Sequence, residues 1–377
     1  GRTDGRVMSE VGVEAVLLYY AYAKILDATE VRAWLEERSD GLVGRVRVTP
    51  EGVNATLGGP EKRLKAYVAS LEQRPEIFGG VDFRLDRVTP GRAARVADPE
   101  LRRECGFDGL THKLTGEVVA FGLERTKSTG GVSYVGRDAW EAGLASPEAV
   151  VVDVRNAYES AIGRFVAPAA TVLTPAVRTT TELAHWLLGQ RFAGARVFLY
   201  CTGGVRCEHA ARLLLSGHCD SPSAVSVLAG GVLNYLKSNG GLFKGRLFVF
   251  DPRVSLPAPQ PLDAAAAATC VRCRRTQVQD YCLSRPSADG HFERPRCSRC
   301  RVLVLVCEPC RGSSSPPSQE RPTSDPFSFP LLCAACSSSR RRPPNNSATQ
   351  QTRRRRHGKR CDNGRARSAS SLSSSAL

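Results

Sequence analysis

Two cysteines six positions apart enclose a short segment with two glycines and an arginine, Cys201-Thr202-Gly203-Gly204-Val205-Arg206-Cys207. The apolar run 197–200 before it predicts a buried strand, and residues 208–215 after it have the composition and spacing of a helix. The glycines allow a tight turn. Backbone N–H groups, the positive end of the helix and the charge of Arg206 would lower the pKa of the Cys201 thiol, which favours a nucleophilic thiolate. The alternative is a small apolar cysteine that closes a strand.

The elements around this loop predict how it is held. Strands and helices alternate from Lys113 to about Arg253, which indicates a parallel sheet with helices on both faces. Residues 150–152 form one predicted strand, ending in Asp153, and residues 226–228 form another. Loops at the carboxyl ends of parallel strands build the functional site in such sheets. Asp153 and Cys201 are therefore expected at the same edge.

Three segments of this region, DVRNAYESAIGRF, YCTGGVRCEHAARLL and VLAGGVLNYL, together resemble a rhodanese domain. The resemblance implies that Cys201 is the persulfide-forming cysteine and that Arg206 ends the six-residue active loop. It implies a mainly structural role for Asp153 and Arg155, which match the DxR turn of the family. Cys207 would either form a disulfide with Cys201 or pack under the helix as a small apolar residue.

The N-terminal part predicts a second domain. Residues 16–22 have strand composition, and Asp27 or Thr29 can cap a helix whose inner face carries Val31, Trp34 and Leu35. The remaining predicted elements are a hairpin of strands 44–48 and 53–57 around the turn 50–52, a helix over 60–73 and a strand over 81–85. The order β-α-β-β-α-β is that of a ferredoxin-like sandwich, a fold that by itself names no function.

Taken in order, the segments YYAYAKI, GLVGRVRVTPEGVNATLGG and CTGGVRCE resemble the rhodanese-containing tRNA uridine hydroxylases over roughly residues 16 to 337. The resemblance implies that the protein converts the wobble uridine in the tRNA anticodon loop to 5-hydroxyuridine with molecular oxygen, and that Cys201 is essential. No motif for an oxygen-activating metal or flavin is identified. The sequence leaves two alternatives: a sulfurtransferase that works through a Cys201 persulfide, and a zinc-binding scaffold whose rhodanese fold is inactive.

Eight of the fourteen cysteines form four CxxC pairs, Cys270/Cys273, Cys297/Cys300, Cys307/Cys310 and Cys333/Cys336. Each pair can offer two thiolates to one cation, so four pairs predict about two structural zinc ions. Cys282 and His291 are spare candidate ligands. The first two pairs could share one metal, or the pairs could interleave. This placement favours metal binding in a reducing compartment over a disulfide framework, and Cys105 and Cys219 lie apart from it.

The predicted organisation is α/β: a ferredoxin-like domain over 1–112, a rhodanese domain over 113–255, a Cys-rich segment over 262–337 that begins with the linker 262–269, and a tail over 338–377. The composition of the tail predicts disorder. It carries a charge of +10 out of the net +16, so it could bind RNA phosphates, act as an import signal or simply stay solvated.

The sequence also suggests residues that contact RNA and a location in the cell. Arg45, Arg47, Lys113 and Arg206 are candidate partners for tRNA phosphates, although the two hairpin arginines could equally be the solvated side of a strand. No apolar run is long enough to cross a membrane, which predicts a soluble, cytoplasmic protein. Because the chain starts with Gly and its first Met is Met8, a plastid or another organelle is the alternative if a targeting segment is missing.

Overall fold

The computed structural model describes residues 14–88, 107, 109–122, 132–216, 222–251, 253–263, 266–274, 277–278, 281, 295–311 and 331–338. Cys105, Cys219, Cys282, His291 and nearly all of the predicted tail lie outside these residues. Within them, two sheets of five strands form successive units, and a cysteine-rich unit follows. No helix in these ranges is long and apolar enough to cross a membrane.

The first sheet has the strand order β4-β1-β3-β2-β5. Its strands are β1 (Ala15–Tyr22), β2 (Val43–Thr49), β3 (Gly52–Gly59), β4 (Arg84–Arg87) and β5 (Leu110–Leu114). Helices α1 (Ala28–Arg38), α2 (Glu61–Leu71) and α3 (Pro75–Phe78) accompany it. The predicted β-α-β-β-α-β order and the ferredoxin-like, acylphosphatase-like architecture are confirmed.

Alternation along β1 gives the first sheet two different faces. Leu17, Tyr19 and Ala21 are buried in a core that includes the inner faces of α1 and α2. Asp27 begins α1 by accepting backbone hydrogen bonds from Thr29 and Glu30, both at 2.9 Å, so the aspartate is the cap. The opposite face of β1 is turned towards the second unit.

Two details of the first unit differ from the sequence prediction. The last strand begins at Arg84 instead of residue 81, because the N–H of Val81 still bonds to the carbonyl of Phe78 in the turn after α3. Strand β5 was not predicted, since its short, polar sequence lacks an apolar alternation. It pairs parallel with β2, so the expected boundary between residues 112 and 113 falls inside a strand of the first sheet.

The second sheet is parallel, with the strand order β6-β11-β10-β7-β9. Its strands are β6 (Ser133–Val135), β7 (Ala149–Asp153), β9 (Thr171–Leu173), β10 (Arg196–Tyr200) and β11 (Ala224–Leu228). The helices are α4 (Arg137–Leu144), α5 (Ala157–Ser160), α6 (Thr180–Leu188), α7 (Val205–Leu215) and α8 (Gly231–Lys237). One apolar core lies against α6 and α7 and another against α4 and α8, which confirms a rhodanese-like sheet covered on both faces.

A small antiparallel sheet joins this unit to the cysteine-rich one. It contains β8 (Gly163–Phe165), β12 (Phe243–Phe248) and β13 (Ser255–Pro257) in the order β13-β12-β8. The segment expected to be a linker, 262–269, contains two buried residues, Leu262 and Ala267. Arg164 also donates to the carbonyl of Ala266 at 3.0 Å, which attaches Ala266 to the rhodanese unit.

The cysteine-rich unit contains β14 (Ala268–Thr269), β15 (Gln277–Val278), α9 (Glu308–Arg311) and α10 (Ala334–Ser338). Its apolar core is shared with the rhodanese unit through Ile162, Phe248 and Val254. The hydroxyl of Tyr281 donates to the carbonyl of Tyr158 in α5 at 2.9 Å. The unit is therefore attached directly beside α5.

The hairpin of the first sheet also reaches the rhodanese core through a connector, residues 117–122. The carboxylate of Glu51 accepts the N–H of Val118 at 2.6 Å, and Arg47 and Asn54 both donate to the carbonyl of Val118 at 3.4 Å. Val118 and Phe121 then pack in the core beneath α7. The long hairpin segment noted in the sequence thus ties the two units together.

Asp86 of β4 holds the first unit on the second. Its carboxylate lies 2.5 Å from Nζ of Lys237 and 3.4 Å from Nη1 of Arg253, and most of its side chain is shielded from solvent. We expect Asp86→Ala to lower the free energy of unfolding by about 1–2 kcal/mol, because two cations lose a shielded acceptor. Urea titrations of the full chain measure the difference.

Asp40→Ala is the matched control. The Asp40–Arg63 pair has a similar length, 3.3 Å, but the aspartate side chain is 95% exposed. Removal of this carboxylate should change the free energy of unfolding by less than about 0.5 kcal/mol. Equal effects of the two substitutions would show that the Asp86 contacts do not stabilise the interface.

Candidate active site and metal centres

The Cys201 loop joins β10 to α7 at the carboxyl end of the parallel sheet. The helix begins at Val205, so Arg206 lies in its first turn and Cys207 on its buried side. The backbone N–H of Gly204 donates to Sγ of Cys201 at 3.0 Å. Gly204 has a φ of +98°, a conformation that residues with a side chain rarely adopt. This conformation directs the N–H of Gly204 towards the sulfur.

Arg206 is paired with a buried carboxylate. Its two terminal nitrogens lie 2.5 and 2.8 Å from the carboxylate oxygens of Glu159. The hydroxyl of Thr202 also donates to Glu159 at 3.1 Å. Glu159 is fixed by a capping box at the start of α5, because it accepts the backbone N–H of Asn156. The charge of Arg206 is therefore held in place at the loop.

The surroundings of Cys201 favour its thiolate. Burial alone would raise the pKa of the thiol, but a hydrogen bond from Cys207, the charge of Arg206 and the backbone N–H groups of both residues lower it to about 5. Burial and the neighbouring Cys201 sulfur raise the pKa of Cys207 well above its usual value. Cys207 thus stays protonated and donates to Cys201.

The first unit covers this loop. Arg84 of β4 donates to the carbonyl of Gly203, and the hydroxyl of Tyr22 donates to the carbonyl of Val205 at 3.0 Å. A Cβ added to Gly204 would lie 2.8 Å from the hydroxyl of Tyr20, so the sheet approaches the loop closely. Cys201 has no exposed surface. The site is consequently formed by both units.

Asp153 and Arg155 lie behind the loop, at the end of β7. Their charged groups form a fully buried pair at 2.6 Å. Ser160 and Tyr200 donate to the same carboxylate oxygen of Asp153 at 2.6 and 2.8 Å. Arg155 also donates to the carbonyl of Gly163 at 2.8 Å. This network fixes the strand ends on which the Cys201 loop is built.

Sequence reasoning did not assign roles to Glu159, Tyr20 or Arg84. Glu159 could have been found, because the spacing Asn-x-x-Glu predicts a capping box. Tyr20 and Arg84 meet the loop only through contacts between the two units. A single sequence gives no signal for such contacts.

Three of the four residues predicted to contact RNA lie on one face of the first sheet. Strand pairing places Tyr20, Asn54, Arg47 and Lys113 in one row across β1, β3, β2 and β5. Arg45 lies on the same face in the next row. The three basic residues are exposed. We call this face, defined by Arg45, Arg47 and Lys113 beside Tyr20, the basic face; it extends from the Cys201 loop to the edge of the sheet.

The four CxxC pairs interleave. Sulfur atoms within 4.8 Å of one another form two groups, Cys270, Cys273, Cys307 and Cys310, and Cys297, Cys300, Cys333 and Cys336. The Sγ atoms of Cys273 and Cys307 are 3.8 Å apart, and those of Cys300 and Cys333 are 3.7 Å apart. A tetrahedral zinc site with bonds of about 2.3 Å requires sulfur separations of about 3.8 Å. Both groups therefore fit zinc.

The surroundings of these thiols move their pKa values in opposite directions. Backbone N–H groups of Cys300 and Cys333 overcome burial and lower the pKa of Cys297 to about 6. Burial, followed by hydrogen bonds to neighbouring thiols, raises the pKa of Cys336 in the same group to about 12. Four thiolates so close together repel one another, and a divalent cation removes that cost.

Arg178 connects the second group to the rhodanese unit. It donates to Sγ of Cys336 at 3.8 Å while its other nitrogens bond Glu182 in the first turn of α6. The charge of an arginine beside thiolates stabilises them.

Known protein families match both folded units. Residues 14–118 match the UPF0176 acylphosphatase like domain, and residues 137–238 match the Rhodanese-like domain. The chain is thus one of the proteins in which an acylphosphatase-like sheet precedes a rhodanese domain, and the Cys201 loop lies between the two.

Named relatives define the family more closely. The chain is 30% identical to the tRNA uridine(34) hydroxylase of Pseudarthrobacter chlorophenolicus over 80% of its length and 96% of that protein. The Synechococcus elongatus enzyme of the same name is also 30% identical, over 70% of this chain and 92% of that protein. Rhodanese-like domain-containing protein 6 of Arabidopsis thaliana is 33% identical over 78% of this chain, which spans half of that protein. The chain belongs to the tRNA uridine(34) hydroxylase family.

The pKa of Cys201 can be measured by thiolate absorbance near 240 nm. The difference between wild-type protein and Cys201→Ser should show an inflection near pH 5, with the thiolate present above it and lost below it. Cys207→Ala should move the inflection upward, because the thiol hydrogen bond is lost. An inflection near the usual value of about 8.5 in wild-type protein would contradict the stabilised thiolate.

Elemental analysis of protein purified without chelator should give about two zinc ions per chain. Double substitutions test the interleaved pairing. The variant Cys273→Ser/Cys307→Ser removes two ligands of one group and should lose one zinc ion. The variant Cys273→Ser/Cys300→Ser removes one ligand from each group and should lose both. The reverse pattern would show that consecutive pairs share a metal.

Proposed function

We propose that this protein hydroxylates the wobble uridine of tRNA to 5-hydroxyuridine, with molecular oxygen as co-substrate and Cys201 as the reacting thiolate. One oxygen atom would enter the base at C5, and a two-electron reductant would supply the electrons that, with two protons, reduce the other atom to water. The names of its relatives support tRNA uridine 34 as the substrate. The observation that carries the proposal is the cover of the Cys201 loop by the first sheet, through Arg84 and Tyr22. A rhodanese loop that acted alone on small sulfur donors would not need this second unit.

The residues of the loop have distinct proposed roles. Cys201 is the nucleophile, and a thiolate with a pKa of about 5 is fully formed at neutral pH. Arg206 and the N–H groups of Gly204 and Cys207 stabilise its charge. Thr202, Gly203 and Val205 shape the loop, and Asp153 and Arg155 support the strand ends.

The basic face is the proposed contact for tRNA phosphates. Arg45, Arg47 and Lys113 are exposed on the same face of the first sheet as Tyr20, which touches the loop. The bases of an anticodon loop are already unpaired, so one can leave its stack at low cost to approach Cys201. Arg206, by contrast, is buried against Glu159 and serves the thiolate.

The two cysteine groups are proposed to hold structural zinc. All four positions of each metal would be filled by cysteine, which leaves none open for oxygen or substrate. The metals would therefore stabilise this unit in addition to its shared apolar core and leave the chemistry to the Cys201 site.

Sulfur transfer through a Cys201 persulfide is the second candidate. The stabilised thiolate and the six-residue loop favour it, because they suit attack on a sulfane sulfur donor such as thiosulfate. An inactive scaffold is less well supported, since Cys201 and Arg206 are both present and lie together in the loop.

Nucleoside mass spectrometry of tRNA distinguishes these functions. Cells that lack the gene should lose 5-hydroxyuridine, and wild-type protein should restore it. Cys201→Ser should restore less than about a thousandth of the wild-type rate, because the hydroxyl stays protonated at neutral pH while it still packs in the loop.

Two outcomes would reject hydroxylation. Full activity of the Cys201→Ser protein would remove the thiolate from the reaction. Loss of a thiolated uridine, with 5-hydroxyuridine unchanged, would select sulfur transfer. Circular dichroism and zinc content of the serine variant serve as folding controls.

A further inference from the structure

A large aromatic side chain is exposed at the edge of the site. Phe250 follows β12 and is 43% exposed. The other large apolar side chains exposed among the described residues are Leu26, Leu114, Tyr134 and Val166. Single exposed apolar residues are common and need no explanation. Phe250 differs because of where its ring lies.

The ring of Phe250 lies against Arg206. The guanidinium carbon of Arg206 is 5.6 Å from the ring centroid, while the nitrogens of the same group bind Glu159. On another side, the ring meets buried Phe248 edge to face, with centroids 5.2 Å apart. The hydroxyl oxygen of Thr202 in the loop also lies 3.4 Å from the carbonyl oxygen of Phe248. Phe250 is therefore attached to the same loop that carries Cys201.

The turn that presents Phe250 is firmly held. The N–H of Val249 donates to the carbonyl of Val254 at 2.9 Å, and Val254 in turn donates to the carbonyl of Asp251 at 3.0 Å. Val254 has a φ of +64°, which is unfavourable for a β-branched residue. Such strain persists only where the surroundings enforce it, and it concentrates at functional sites.

Arg253 fixes this turn to both units. Two of its nitrogens bind the carboxylate of Asp251 at 2.8 and 2.7 Å. A third lies 3.4 Å from Asp86 in the first sheet. The position of Phe250 is thus set relative to the Cys201 loop and to the basic face.

We propose that the exposed surface of Phe250 stacks an unpaired nucleobase of the bound tRNA. This inference rests on the proposed function, in which a tRNA anticodon loop is the substrate. The basic face supplies charge for phosphates, but a charge does not orient a base. An aromatic ring does, because every base has a flat apolar surface and stacking on such a ring removes both from water. A base held at Phe250 would fix the strand while the uridine reaches Cys201.

A purely structural role for Phe250 predicts different behaviour. A ring that only shields the Arg206–Glu159 pair would change the titration of Cys201 when it is truncated. A ring that stacks a base would change RNA binding and leave that titration alone. The two roles can be separated by variants that keep bulk but lose the aromatic surface.

The experiment measures binding of an anticodon stem-loop RNA to full-length protein. Phe250→Leu should weaken binding about tenfold, since base–aromatic stacking contributes about 1–3 kcal/mol and 1.4 kcal/mol corresponds to a factor of ten. Phe250→Trp should bind at least as well as wild type. The dependence of binding on salt should be the same for all three proteins, because no charge is removed. Leu26→Ala, an exposed apolar residue in the first unit, is the control and should bind normally.

Abasic substitutions in the RNA identify the stacked base. RNAs that lack the base at position 33, 34 or 35 are compared with intact RNA for wild-type protein and for Phe250→Leu. At the stacked position the two losses should not add, because each removes the same contact. Full additivity at all three positions would overturn the proposal, and so would unchanged binding by Phe250→Leu.

Further outcomes keep this inference separate from the proposed function. A shift in the Cys201 titration of Phe250→Leu with normal RNA binding overturns stacking in favour of shielding. Tight, Phe250-dependent binding without hydroxylation supports stacking and rejects the hydroxylase. Hydroxylation at the wild-type rate and wild-type KM by Phe250→Leu rejects stacking and retains the hydroxylase. A wild-type protein that binds no anticodon stem-loop rejects both.

Discussion

A thiolate on Cys201 is a negative charge without any exposed surface. Burial without compensation would keep this sulfur protonated, so the site depends on the groups that replace water around it. Those groups are the N–H of Gly204, the thiol of Cys207 and the charge of Arg206. The positive φ of Gly204 directs its N–H towards Sγ of Cys201, and the start of α7 places Arg206 and Cys207 beside the same atom.

The contacts that hold Arg206 in place extend beyond the loop itself. Glu159 binds it, yet α5 has only four residues and cannot be stable by itself. The cysteine-rich unit supports α5 from outside through Tyr281 and Tyr158. That unit shares its apolar core with the rhodanese unit, and its two interleaved groups of cysteines could each hold a cation. Metal binding at these groups would in this way be connected to the charge beside Cys201, although the cysteines are far from it in the sequence.

Features formed by residues that are neighbours in the chain could be predicted from the sequence, whereas contacts between distant segments could not. The strand, the glycines and the helix around Cys201 are neighbours in the chain, so the loop could be predicted from it. The shift of β4 to Arg84–Arg87 arises from α3, a short helix that the pattern did not reveal. The pairing of the cysteines depends on the path of the chain between them, so the same spacing fits both consecutive and interleaved pairs. Tyr20, Arg84 and Phe250 acquire their roles only from packing between separate segments.

The charges around Cys201 bear on the choice between uridine hydroxylation and sulfur transfer. Thiosulfate is a dianion, and at this loop it would meet a thiolate beside Arg206, a cation that is already paired with Glu159. Like charges at short range in a buried site repel strongly. Uracil is neutral, so no such repulsion opposes its approach. The neighbouring tRNA phosphates could bind to the basic face, away from the sulfur. Glu159 holds Arg206 in place beside the thiolate but also offsets part of its charge, which lowers the attraction of the loop for small anions. This balance supports the proposal that a nucleobase is the partner of Cys201.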